Sequence, residues 1–87
     1  MADEALKTKI RDVLKQGYFN GPDDFVDISD GTDGLVHVVV VSRKFDGRRA
    51  REKNDLLWSE LSQGLLPDEW GRISLSVARS PEEIKAS

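Results

Sequence analysis

Apolar residues recur in the chain with two different periods, and the switches between them outline the fold. Between residues 3 and 16, Leu6, Ile10, Val13 and Leu14 fall on one stripe at helical spacing, which predicts an amphipathic helix. Gly17 follows where a left-handed cap would stop it, and Asn20-Gly21-Pro22-Asp23 is loop by its turn chemistry. From Phe25 to Asp30 the period falls to two: Val26 and Ile28 share one side, Asp27 and Ser29 the other, as in a half-buried strand. Asp30-Gly31-Thr32-Asp33-Gly34 supplies turn residues, and Leu35 to Ser42 forms a second strand, so the pair is expected as an antiparallel hairpin. The second strand is apolar on both faces, as a central or covered strand would be.

A short Phe45-Asp46-Gly47 turn then leads into a helix expected over about residues 48 to 62, with Ala50, Leu57, Trp58 and Leu61 as its buried stripe and Gly64 as its end. Pro67 opens a short helical turn through Trp70, and Gly71 releases the chain into a third strand, Arg72 to Ala78, where Ile73, Leu75 and Val77 alternate. A strand–helix–strand connection favours parallel pairing through a right-handed crossover. Ser80-Pro81-Glu82-Glu83 has the layout of a helix start: serine as cap, proline first, glutamate three residues after the cap. This last helix is short. The order α-β-β-α-α-β-α predicts an α+β fold, a three-stranded mixed sheet with helices on one face.

Size and composition limit what such a fold can do. Eighty-seven residues make one domain, and there is no linker, repeat or low-complexity segment. A deep two-walled enzyme cleft is not expected at this length. No apolar run reaches the roughly 20 residues needed to cross a bilayer. Met1-Ala2-Asp3-Glu4-Ala5 is acidic and lacks an apolar signal region, so the expected location is cytoplasmic, with no membrane partner. The absence of cysteine excludes disulfides, thiolate metal sites and cysteine nucleophiles.

Net charge is −3, yet the charge is segregated. Asp23, Asp24, Asp27, Asp30 and Asp33 form an acidic segment without a base. Arg43, Lys44, Arg48, Arg49, Arg51 and Lys53 form a basic one, interrupted by Asp46 and Glu52. Such runs are ordinarily solvated surface; the functional reading is an electrostatic docking face.

Other candidate chemistry is thin. His37, the single histidine, lies on a strand on the side of Val39 and Val41, where an Asp of the first strand could stand opposite. A packed or edge residue is the expected role rather than a general base. One histidine without cysteine does not assemble the usual metal sites. The run Asp27 to Asp33 has calcium-loop residue types at the wrong spacing, with Thr32 at the sixth position and no glutamate at the twelfth. Asp23-Asp24 and Glu82-Glu83 suit loop solvation and a helix start. The KH module's Gly-x-x-Gly is half present, as Gly47-Arg48-Arg49-Ala50. Trp58 and Trp70 are expected in the core or at its edge.

These residues together resemble the BolA-like family: a valine-rich strand (Val38 to Val41), Ser42, Phe45-Asp46-Gly47, an amphipathic helix through Leu57 and Leu61, a strand from Ile73 to Val77, and Ser80-Pro81-Glu82-Glu83. The resemblance covers about residues 3 to 85 and implies an arrangement related to class II KH domains. Family members act either as nucleic-acid-binding regulators or as partners of monothiol glutaredoxins that share an iron–sulfur cluster. The family carries Arg-His-Arg in its helix; this chain has Lys53-Asn54-Asp55. Asn54 replaces the histidine ligand, and an amide is a poor substitute for imidazole on iron. The family's second ligand, a Cys or His in the hairpin loop, has no counterpart in Ser29 to Gly34. Cluster binding is therefore not carried over, and no cofactor is expected. The expectation is a non-enzymatic regulator whose basic turn and helix start, Arg43 to Lys53, contact nucleic acid. The alternative is a protein-interaction adaptor in which the acidic and basic segments dock a partner or a second copy. The oligomeric state is left open.

Overall fold

The computed structural model describes residues 4–86, with side chains through residue 84. The acidic start Met1-Ala2-Asp3, including the predicted Asp3 beginning of the first helix, lies outside the described residues. The elements run α1 (Glu4–Gln16), β1 (Phe25–Asp30), β2 (Val36–Val41), a 3-10 turn (Arg43–Phe45), α2 (Ala50–Gly64), α3 (Pro67–Trp70), β3 (Ile73–Arg79) and α4 (Pro81–Ala86). The three strands lie in the order β1-β2-β3. β1 pairs antiparallel with β2, and β3 pairs parallel with β2. The chain is thus a small α+β domain with a three-stranded mixed sheet.

The hairpin loop follows from two residues. Asp33 and Gly34 both adopt positive φ (54° and 78°), and the Leu35 amide donates to the Thr32 carbonyl at 3.0 Å. Positive φ at both central positions marks the turn whose twist matches that of paired strands. β2 is the central strand, and its residues alternate between burial and half-burial. Val36, Val38 and Val40 are fully buried and face the helices. They meet Ile28 of β1 and Ala78 of β3, while α1 contributes Leu6, Ile10 and Leu14, and α2 contributes Leu57 and Leu61. Phe19 and Phe45 close one end of this core, ring centroids 5.4 Å apart. Each fully buried side chain of this size stabilises the fold by about 1.5–3 kcal/mol relative to exposure.

Several expectations are corrected. Gly17 does not adopt a left-handed cap; positive φ among glycines is found at Gly34 and Gly47 among the described residues. A Cβ at Gly17 would lie 2.7 Å from the Val13 carbonyl oxygen, so close approach, not handedness, selects glycine there. Gly64 is the last residue of α2, as expected, and close approach again selects glycine: a Cβ there would lie 2.5 Å from Val13 Cγ1, where α1 and α2 cross. Ala50 is exposed, and the stripe of α2 runs Lys53, Leu57, Leu61 instead. In β3 the alternation is broken by a bulge. Ile73 pairs with Val36 but Leu75 pairs with His37, so Ile73 packs against the core while Leu75 and Val77 turn to the opposite face.

Candidate functional site: the corner between β2 and α2

The six bases of the 43–53 segment divide into two groups with different environments. Ser42, at the end of β2, is fully buried. Its hydroxyl donates to Asp24 Oδ1 at 2.6 Å and accepts from the Lys44 amide at 3.1 Å, which caps the 3-10 turn. That turn directs Lys44 back over the loop before β1. Its Nζ donates to Asp24 Oδ2 at 2.7 Å and to the Tyr18 carbonyl, and it lies 4.8 Å from the centroid of the Tyr18 ring. Lys15 Nζ donates to the Asp24 carbonyl at 2.8 Å. Burial pushes the Asp24 carboxyl up; hydrogen bonds from Lys44, Ser42 and the Gly21 amide more than offset this and hold it below its ordinary value.

Lys53 is turned inward as well. It is buried on the α2 stripe, and its Nζ donates to Glu83 Oε1 at 2.6 Å. Glu83 is the far half of a capping box: its carboxylate accepts from the Ser80 amide at 3.0 Å, and its own amide donates to Ser80 Oγ at 3.4 Å. The Lys53 hydrogen bond, then the Ser80 amide, hold the Glu83 carboxyl at about 2. One ammonium thus pins α4 to the first turn of α2.

Arg43, Arg48, Arg49 and Arg51 remain exposed, and none forms an ion pair among the described residues. Arg48 Nε donates to the Lys44 carbonyl at 2.9 Å, which fixes its stem without neutralising its charge. Between them stands Gly47, at φ +72° with nothing within 4 Å of where a Cβ would be. The Arg49 amide donates to Glu52 Oε1 at 2.8 Å, a one-sided cap at the start of the fifteen-residue α2. Four exposed arginines and the positive end of the helix macrodipole therefore lie in one short stretch of chain, residues 43–51.

The family-motif residues sit in distinct surroundings. Phe45 is buried against Phe19. Asn54 is exposed, its Oδ1 accepting from Ser76 Oγ at 3.4 Å, and Ser76 in turn accepts from Trp58 Nε1 at 3.0 Å. Trp58 and Trp70 are partly buried and meet edge to face at 6.1 Å. His37 stands opposite Ser29, not an aspartate, and a Cβ at Gly31 would lie 2.9 Å from its Nε2.

The acidic segment does not form one surface. Asp24 is buried against Lys44, Asp30 pairs with Lys7 at 3.0 Å, and Asp27 projects from the sheet. A hollow of about 810 Å³ lies between α1 and α2 and includes no residue of the 43–53 segment. Among the described residues no three His, Cys, Asp or Glu side chains gather as a metal site, and no helix is long and apolar enough to cross a membrane.

Sequence reasoning treated Lys44 and Lys53 as surface charges. For Lys53 a signal was present: it lies four residues before Leu57 on the buried stripe. For Asp24 and Lys44, 20 residues apart, the sequence carries none. No family model matches the chain, and neither a curated protein nor a solved structure matches it.

Proposed function

We propose that this chain is a non-enzymatic BolA-like domain, class II KH-like in arrangement, that contacts nucleic acid through the corner between β2 and α2. The observation that carries this reading is the exposure of Arg43, Arg48, Arg49 and Arg51 around an open glycine and a helix start. Lys44 and Lys53, committed to Asp24 and Glu83, are left out of the contact set. Guanidinium groups suit phosphate oxygens through paired N–H donors. Contacts of this kind position a nucleic acid and carry little sequence information, so binding is weakly specific.

The test is a titration with short single- and double-stranded nucleic acids, followed by backbone amide shifts at several salt concentrations. Shifts should centre on residues 43–51. With about four phosphates neutralised, log affinity should fall with log salt at a slope of roughly −3 to −4. A flat salt response, or shifts distributed away from this corner, would refute the assignment. A second reading, a protein-interaction adaptor without an iron–sulfur cluster, is favoured by a different observation: the face of the sheet opposite the helices is apolar and uncovered.

A further inference from the structure

α1 packs on β1 and α2 on β3, both on the face of Val36, Val38 and Val40. The other face carries three rows set by the strand register: Phe25–Val41–Arg79, Asp27–Val39–Val77 and Ser29–His37–Leu75. Phe25 and Leu75 are 55% and 48% exposed, and Val39, Val41 and Val77 are partly exposed. Strand preference accounts for valines on β2. It does not account for a leucine at 75, nor for an apolar centre where a solvated sheet face ordinarily alternates to polar residues. Two opposite charges flank this patch. Asp27 projects from β1 at one edge and Arg79 from β3 at the other; neither forms an ion pair among the described residues.

We infer that a second copy of this chain packs on this face, sheet against sheet, about a two-fold axis running along the strands. That operation lays β1 of each copy over β3 of the other, because a two-fold interface is self-complementary. Asp27 of each copy then lies one row from Arg79 of the second copy, within an arginine's reach across sheets about 10 Å apart. The charge pattern selects this occupant. A surface of one sign would oppose a like charge to Asp27 or to Arg79, whereas a second copy neutralises both. The patch is small: three strands about 4.8 Å apart and five residues long project roughly 250 Å² per copy. Stable interfaces bury about 800 Å² per partner, so this dimer is weak and forms at high concentration.

The inference uses the sheet face and not the arginine corner, so it stands or falls separately from nucleic-acid binding. It is tested on the full chain at low salt, with sedimentation and amide shifts followed from about 20 µM to about 2 mM, the range in which a small interface would populate. The expected result is a mass rising toward the dimer, with concentration-dependent shifts at Asp27, Val39 and Val77. Asp27→Arg and Arg79→Asp should each weaken association about tenfold or more, since each places like charges opposite. Mixed in equal amounts they should regain it, because both pairs of the mixed dimer are then complementary. Circular dichroism confirms that these exposed substitutions leave the fold intact. A monomer across the whole range, shifts confined to other surfaces, a mixture no better than either variant alone, or shifts on this face that arise only when a nucleic acid or protein is added would each overturn the inference.

Discussion

Asp24 and Lys44, members of the acidic and the basic segment, meet within the chain at 2.7 Å, with the carboxylate buried and the ammonium half covered. The charge segregation in the sequence is therefore partly an internal joint. It ties the loop after α1 to the end of β2, and it sets the 3-10 turn that presents Arg43 and Arg48 outward.

Asp24→Ala should remove the acceptor of Ser42 Oγ, Lys44 Nζ and the Gly21 amide together. Ser42 has no access to water, so the expected loss is about 1–3 kcal/mol, the usual cost of stranding buried donors. A lowered urea midpoint with an unchanged m-value is the expected signature. An unchanged midpoint would show that the joint contributes nothing to stability.

Glu83 gives the domain a defined acid sensitivity. Its carboxyl is held at about 2, below the ordinary 4.5, by Lys53 and the Ser80 amide. A depressed folded-state value contributes stability that is complete above the unfolded value and lost as pH falls from about 4.5 toward 2. The lowered Asp24 and Glu69 carboxyls act in the same sense. Denaturation midpoints should drop through this window, and Glu83→Gln should flatten the drop and lower stability at neutral pH. Identical pH profiles for the two proteins would exclude this account.

Gly64→Ala would ordinarily favour a helix by up to about 1 kcal/mol. Here the added methyl collides with Val13, and the expected net effect is a loss of about 1–2 kcal/mol from overpacking. Val13→Ala makes room, so the double variant should recover much of that loss. A double-mutant cycle with no coupling between the two positions would rule out the crossing as the reason for glycine.

Gly47→Ala meets no neighbour, so its cost isolates backbone strain. Left-handed backbone disfavours alanine by about 1–2 kcal/mol, and Gly47→Asn should cost less, because asparagine tolerates this region. Thermal midpoints of the two variants should fall in that order; equal midpoints would mean the turn relaxes out of positive φ.

Lys53→Gln and Arg48→Gln should separate structure from binding. The first breaks a buried pair and should lower stability while leaving the salt slope of nucleic-acid binding unchanged. The second should leave stability within about 0.5 kcal/mol, as exposed substitutions do, and reduce that slope by about one. If Lys53→Gln alone altered the slope, the division of the six bases into two groups would fail.

The features legible in the sequence are those governed by near neighbours. Asp33-Gly34 specifies its turn, Ser80-Pro81 with Glu83 specifies a helix start, and the two hydrophobic periods place every strand and the main helices. The features that were not legible depend on distant partners. Lys53 reads as a surface charge until Glu83, 30 residues later, folds back beside it. Gly64 reads as a helix end, which it is, but its near neighbours do not show that α1 crosses there. A period of two assigns Leu75 and Val77 to one face of β3, but only the bulge after Ile73 and the placement of the helices decide that this face is the uncovered one.

The tail of the chain reaches further into the domain than its position suggests. Clipping before Pro81 would remove the counter-ion of an inward-facing lysine in the first turn of the long helix. A proteolytic nick before α4 would therefore be felt at the start of α2, and accelerated amide exchange around residue 53 would reveal it.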